Sequence, residues 1–386
     1  MTDLQLPRRS VLFILPSLAR SGAESQVLDL IETLDDALWR KHLITFEAGL
    51  DQTRRLQGLD VQVHHLRRRR RIDPGLARQM AQIIDEAHVD LIHATLNIAV
   101  LHGWMARTFS VRPPPIIAAV HTTISRSRRD ELVNRILYQP LLRRCDGVLF
   151  VSHNQRAHWL RRVPALAQSS TVIHNGINLD RYTRGAYSWP EQLAPPPDTG
   201  EVVVCVAAFR PEKGHRVLLE AWSGVLWSHP DAQLYLVGSG PEEESIRRLV
   251  ALMGLEDHVC FTGSLEDVRP LLSVASIAVL ASTAVETFSL AALEAMAMEV
   301  PVVVTDIGGM AEVVDHGRTG LVVPPGNPEA LATALRGLLA DRSCRDRMAL
   351  NARLRVVTEF DRRVMASSTE TWMNKLLEGE ALCHEA

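Results

Sequence analysis

Glu286 and Glu294 stand eight positions apart, the first in the loop Thr283-Ala284-Val285-Glu286-Thr287-Phe288-Ser289 and the second in the run Leu290-Ala291-Ala292-Leu293-Glu294-Ala295-Met296-Ala297. The run is made of helix formers, so the spacing predicts one carboxylate just before a helix and another about two turns inside it. A helix start offers unpaired backbone N–H groups, here those of Phe288, Ser289 and Leu290, and these suit a phosphate. The dipole contributes only about 0.3–1 kcal/mol, so further contacts must supply affinity. Carboxylates flanking such a site repel a phosphate unless they accept hydrogen bonds from something else. Sugar and ribose hydroxyls are suitable donors, each charge-assisted bond being worth ~1.5–3 kcal/mol. Singly, a glutamate near a helix start is a favourable capping charge and a mid-helix glutamate is solvated; the combination points to a ligand.

Other residues could join that chemistry. Arg210-Pro211-Glu212-Lys213-Gly214-His215 follows an apolar run and places cations in a loop, where a lysine is ordinarily just solvated. Val237-Gly238-Ser239-Gly240-Pro241-Glu242 supplies a Gly-x-Gly turn without the third glycine of the dinucleotide fingerprint, so Gly238 and Gly240 read first as a tight turn and second as a ligand contact. His121 ends the run Ile117-Ala118-Ala119-Val120 and enters a loop. A histidine there is commonly a hydrogen-bonded loop residue.

These residues need elements to hold them. Short β-rich runs alternate with helical patterns along the whole chain, which predicts parallel α/β architecture. The strands expected in the first half are Val11–Leu15, Lys41–Phe46, Val61–His65, Leu91–His93, Ile116–Val120, Gly147–Val151 and Ser170–Ile173, with helices such as Glu24–Leu34 and Pro74–Ala87 between them. In the second half they are Val202–Ala207, Gln233–Val237, Val259–Phe261, Ile277–Leu280, Val300–Thr305 and Gly320–Val323. Two doubly wound domains follow, residues 1–187 and 201–359. Ser188-Trp189-Pro190 and Pro195-Pro196-Pro197 make 188–200 a linker, and a last helix covers about Phe360–Glu378. Ligands of open α/β sheets bind beyond the carboxyl ends of the strands, so a cleft between the domains is the expected site.

The 386 residues exceed what one ordinary core organises, in keeping with two domains. Lys and Arg total 42 against 45 Asp and Glu, so the net charge of −3 gives no global attraction to nucleic acid. Five scattered cysteines without a CxxC pair read as reduced thiols of a cytoplasmic protein. Arg8-Arg9 before Val11-Leu12-Phe13-Ile14-Leu15 imitates a signal peptide, but Pro16 and Arg20-Ser21-Gly22 fit a first strand entering a loop better. No apolar stretch approaches the ~20 residues of a membrane span.

The order of motifs is specific. Glu286-x7-Glu294, Ala295-Met296-Ala297, Pro301-Val302-Val303, Gly308-Gly309, Glu312-Val313-Val314, Thr319-Gly320 and Val323-Pro324-Pro325-Gly326 together resemble the family 4 retaining glycosyltransferases of GT-B fold. The resemblance runs from about Val11 to Val356. It implies two Rossmann-like domains facing across a cleft, the first binding an acceptor and the second a nucleotide-sugar, with the last helix returning to domain one. By the same resemblance, Glu286 contacts hydroxyls of the donor sugar and Glu294 the ribose diol. The amides of Phe288, Ser289 and Leu290 hold the distal phosphate, Lys213 the diphosphate, and Gly238 and Gly240 lie near the nucleotide. His121 touches the transferred sugar. Ser21-Gly22-Ala23-Glu24 resembles the family's Gly-Gly-x-Glu loop, of which only Gly22 carries over. Phe261-Thr262-Gly263, His93, Ser152 and Asn175-Gly176 also fit. The family's usual arginine five positions before the lysine is Ala208 here; Arg210 is the nearest replacement, although its side chain leaves the backbone elsewhere.

No Asp-x-Asp occurs, which removes the usual metal-diphosphate clamp of the other large glycosyltransferase fold, so neither metal nor cofactor is expected. The expected donor is a nucleotide-sugar and the acceptor a glycan or a polyprenyl-diphosphate-linked glycan. Arg67 to Arg71 form an unbroken basic run, with Arg126, Arg128, Arg129, Arg143-Arg144 and Arg161-Arg162 further on. These are either solvated faces or a contact with anionic lipid at the inner membrane face. Nucleic acid is excluded by the lack of a recognition fold or aromatic interleaving. Competing readings are a nucleotide-sugar epimerase or sugar phosphorylase of the same architecture, and an inactive donor-binding subunit suggested by Ala208.

Overall fold

Every expected strand forms, and each is parallel to its neighbours. The protein is described by a computed structural model over residues 8–121, 128–191, 193 and 201–379. It divides into two compact units, 1–176 with 362–386, and 177–361.

The first unit carries β1 (Arg9–Ile14), β2 (Trp39–Thr45), β3 (Val61–His65), β4 (Leu91–Thr95), β5 (Ile116–Val120), β6 (Gly147–Phe150) and β7 (Ser170–Val172). Their order in the sheet is β3-β2-β1-β4-β5-β6-β7. Helices cover both faces, which is why β1 reads as a continuous apolar run: Val11, Leu12, Phe13 and Ile14 are fully buried. The last helix, Arg362–Leu377, belongs to this unit. The Trp372 ring lies where Gly147 has no side chain, 2.6 Å from the position a Cβ would take. Trp39 donates its indole N–H to Glu370 at 2.7 Å, and Arg362 pairs with Glu32 at 2.6 Å. Asn175-Gly176 reads from sequence as a turn, and the structure adds a reason for the glycine. A Cβ on Gly176 would lie 2.5 Å from the Arg362 backbone.

The second unit carries β8 (Val202–Val206), β9 (Gln233–Val237), β10 (Val259–Gly263), β11 (Ile277–Leu280), β12 (Val302–Thr305) and β13 (Gly320–Val323), ordered β10-β9-β8-β11-β12-β13. In both sheets the strand order therefore reverses beside the first strand, at β1/β4 and at β8/β11, and such reversals open the crevices where doubly wound folds take ligands.

The division after Gly176 precedes the proline-rich segment 188–200, and residues 194–200 lie outside the described residues. Packing explains the earlier division. Within the second unit the Ile177 amide donates to the Phe360 carbonyl at 2.8 Å, Arg353 donates to the Tyr182 carbonyl at 2.7 Å, and Trp189 meets the Tyr235 ring edge-on. Cys145, Cys205, Cys260 and Cys344 are free thiols; Cys383 and Arg126, like the Arg128 side chain, fall outside the described residues. Among the described residues no helix is long and apolar enough to cross a membrane.

Candidate functional site

In the second unit, the β8 and β11 loops leave adjacent strands at the sheet's reversal, and their side chains meet. Pro211–Lys213 forms a single 3-10 turn ended by Gly214 in the left-handed region at φ +69°. A Cβ there would fall 1.9 Å from the Ala281 carbonyl oxygen, so the β8 loop is pressed against the end of β11. The Thr283 amide donates to the Glu212 carbonyl at 2.8 Å and stitches the two loops together.

This brings Lys213 to Glu286 across 73 positions of sequence. The Lys213 Nζ donates to Glu286 Oε2 at 2.6 Å, and the Ser282 hydroxyl donates to the same oxygen at 3.1 Å. Among the described residues Glu286 Oε1 accepts no hydrogen bond, although the side chain is only 11% exposed. One oxygen is thus anchored and the other can accept from a ligand hydroxyl. The backbone of Glu286 is fixed as well. Gly309 donates its N–H to the Glu286 carbonyl at 3.2 Å. Gly308 has φ +62°, and a Cβ there would sit 1.6 Å from that carbonyl oxygen. The Gly-Gly turn is therefore a cradle for the glutamate.

The helix after this loop is Leu290–Ala297, capped by Ser289, whose Oγ accepts from the Ala292 amide at 3.4 Å. The amides at its start, from Phe288 to Leu290, are where the sequence places them. Phe288 is buried with its ring edge-on to Phe360 at 5.5 Å, which anchors the start of the helix. Glu294 is the fifth residue of the helix and so lies little more than one turn in, not the two expected, because Thr287, Phe288 and Ser289 stay in the loop. Its Oε1 accepts from the Tyr182 hydroxyl at 2.7 Å. Burial, and then the Glu294 carboxylate, push the Tyr182 ionisation upward, so the phenol keeps its proton and remains a donor.

Gly238 and Gly240 lie in the loop after β9. Cβ atoms on them would meet the Ala207 and Phe209 carbonyl oxygens at 2.2 and 2.5 Å, so packing on the β8 loop alone demands glycine. Arg210 is exposed, and among the described residues its guanidinium makes no ion pair or hydrogen bond. It is a cation available to an anion beside Lys213. Phe209 stacks on the buried His215 ring at 4.5 Å and supports the loop from beneath.

Gly22 and His121 belong to the first unit. Gly22 is the exposed first residue of the helix Gly22–Thr33, behind Ser21, whose hydroxyl donates to Glu24. His121 follows β5 at the carboxyl edge of its sheet. Desolvation lowers its imidazole to about 4, so at neutral pH it is uncharged and offers one donor and one acceptor nitrogen. His93 in β4 is likewise pushed to about 4 by burial, and His121 adds to the shift. Leu96, just beyond β4, adopts φ +73°, a conformation costly to a branched side chain, at the first sheet's reversal.

Two supports escape sequence reasoning. Tyr182 lies 112 positions from Glu294 with no motif around it, and Ser282 looks like an ordinary strand-end serine.

Comparison with known proteins joins this geometry to a family. A family model described as Glycosyltransferase Family 4 matches residues 20–181, and one described as Glycosyl transferases group 1 matches residues 200–341. A phosphatidyl-myo-inositol mannosyltransferase of Mycobacterium leprae is 31% identical over 303 residues, 78% of this chain and 77% of that protein. An N-acetyl-alpha-D-glucosaminyl L-malate synthase of Bacillus anthracis is 28% identical over 305 residues, 78% of each chain. In fold, the chain is similar to the Anabaena protein HepE in complex with UDP-glucose, with a TM-score of 0.80, 23% identity, and coverage of 95% of this chain and 99% of that one.

Proposed function

Since the chain belongs to the family 4 glycosyltransferases of GT-B fold, we propose that it moves a hexosyl group from a nucleoside-diphosphate sugar to a glycan or lipid-linked acceptor, with retention of anomeric configuration. The observation that carries this reading is Glu286, held by Lys213 and Ser282 through one oxygen while the other can receive a sugar hydroxyl. Names of relatives such as the Mycolicibacterium smegmatis GDP-mannose-dependent mannosyltransferase support a nucleotide-sugar donor. The pathway we assign is polysaccharide or glycolipid assembly at the cytoplasmic face of a membrane.

In this proposal the diphosphate lies against Lys213, Arg210 and the amides of Phe288, Ser289 and Leu290, with no metal required. Glu294, steadied by Tyr182, takes the ribose diol, while Glu286 and neutral His121 hold the sugar. The anomeric carbon–oxygen bond to the diphosphate breaks. The departing phosphate oxygen takes the proton of the acceptor hydroxyl, and the new glycosidic bond forms on the face just vacated. Lys213 and the helix start stabilise the charge that develops on the leaving group. Retention thus needs no protein nucleophile.

A thermal-shift screen of nucleoside diphosphates and their sugars tests the donor side, a ligand at a hundred times its dissociation constant stabilising by ~2.7 kcal/mol. A stabilising nucleoside diphosphate should lose its effect in Lys213→Ala. Incubation of the matching sugar donor with glycan and lipid acceptors should yield a product of unchanged anomeric configuration by NMR. Release of an epimerised sugar, or phosphate-dependent release of a sugar phosphate without acceptor, would overturn transfer; donor binding with no turnover would point to an inactive subunit.

A further inference from the structure

The arginine run in the first unit is not a loose charged loop. We infer that Arg68 to Arg71 build a pocket for a phosphate or diphosphate group carried by the acceptor; this deepens the proposed function and rests on its assignment of the acceptor to the first unit.

The β3-β2-β1-β4 half of the sheet delivers the pocket at its carboxyl edge. Glu47 follows β2, Arg68 to Arg71 follow β3, and Ile98 lies just beyond β4, all at carboxyl ends, where doubly wound sheets bind ligands. With Tyr138 they line an open concavity of about 510 Å³, within the ~300–1,000 Å³ of small-molecule sites.

The loop is held by buried Asp73. Its Oδ2 accepts from the Arg69 amide at 2.8 Å, and its Oδ1 accepts from the Gly75 and Leu76 amides at 3.0 and 3.1 Å, capping the helix Pro74–Glu86. The Asp73 amide in turn donates to His102 Nε2 at 3.2 Å, and the Arg68 amide donates to the Phe46 carbonyl at 3.1 Å. A run that served only solubility would need no such anchorage.

The charges lining the pocket are unbalanced. Glu47 is the one carboxylate lining the pocket, and Arg68 already pairs with it. Among the described residues no carboxylate lies within ion-pair distance of Arg69, Arg70 or Arg71. Three like charges lining one concavity repel one another, and a dianion relieves that repulsion. Guanidinium forks also match phosphate oxygens two at a time. Ile98 gives the pocket an apolar wall, as an ester-linked organic group would need. The phosphate could belong to a soluble phosphate ester or to a lipid.

Calorimetry with the full chain and inorganic pyrophosphate tests this, using Lys213→Ala as background so that the donor site is crippled. Pyrophosphate should bind Lys213→Ala and bind it roughly tenfold or more weakly after Arg70→Ala and Arg71→Ala are added, the loss expected when charge-assisted bonds are removed. Arg70→Ala/Arg71→Ala alone should bind nucleoside diphosphate as the wild type does, which also shows that it folds. Flotation with phosphatidylcholine vesicles bearing a prenyl diphosphate separates the sources: arginine-dependent binding there assigns a lipid, and binding of free pyrophosphate alone assigns a soluble ester. Equal binding to phosphatidylserine vesicles of the same charge would reduce the pocket to a basic surface and overturn the proposal. So would pyrophosphate binding that ignores Arg70 and Arg71, or none at all. If nucleoside diphosphate binding proves independent of Lys213, the donor reading fails instead, and the two failures stay distinct.

Discussion

Glu286 and Glu294 are similar residues placed under different constraints. Glu286 is clamped by a cation and a hydroxyl at Oε2, with its backbone cradled by Gly308-Gly309, so its orientation is set before any ligand arrives. Glu294 takes the Tyr182 phenol at Oε1. Removing the charge at Glu286 deprives the transferred sugar of a charge-assisted bond worth ~1.5–3 kcal/mol, so Glu286→Gln should lower kcat roughly ten- to a hundredfold. Glu294→Gln keeps an acceptor for Tyr182 and touches only ribose in the proposed pose; it should raise KM for the donor and leave kcat near wild type. Steady-state kinetics at saturating donor checks both. Equal losses of kcat would remove the separate roles. The ion pair itself was not legible in sequence, where Lys213 and Glu286 lie far apart and a loop lysine reads as solvated.

At the scale of elements, the site is made by two loops and one helix start. Ser289 both ends the β11 loop and caps the helix Leu290–Ala297. Its cap hydrogen bond is long, so Ser289→Ala should cost unliganded stability only about 0.5–1 kcal/mol, measured by urea unfolding, with Ser289→Thr restoring it. Nucleoside diphosphate affinity should fall further than that cost, because a looser cap disorders the amides that face the phosphate. The strands themselves were readable because parallel strands buried on both faces appear as short β-branched runs between glycines and polar loops. The depth of Glu294 was misread because helix propensity says nothing of where a cap halts the helix. The division of the chain was blurred for a similar reason: prolines at 190 and 195–197 suggest a break, whereas Ile177 and Tyr182 are already bonded into the second unit.

Across the whole molecule, buried histidines set an acid limit. His93, His121 and His215 are lowered to about 4, in each case chiefly by burial, and His42, His64 and His102 are lowered in the same sense. His42 and His64 stack in the first unit with ring centroids 6.0 Å apart. For such groups the unfolded chain binds protons first, near pH ~6.5, and the folded chain only at lower pH, about 4 for His93, His121 and His215, so stability is complete above ~6.5 and declines as pH falls. Glu24 acts in the opposite sense: burial raises its carboxyl, so its contribution is fully present below about pH 4.5 and is lost as pH rises through its higher folded value. The melting temperature should therefore drop steadily from pH 7 to pH 5 and be flat from 7 to 8; a flat profile below 6.5 would contradict the buried neutral histidines. Sequence by itself determined the two-sheet α/β plan, the strand positions and the loop that presents Glu286 before its helix, because periodicity and ordered motifs are local properties of the chain. Tertiary structure alone decided that Lys213 and Ser282 anchor one oxygen of Glu286, that Tyr182 holds Glu294, and that Asp73 pins an arginine run around a cavity. Those pairings depend on which loops a parallel sheet brings to the same edge, and sequence separation carries no record of that.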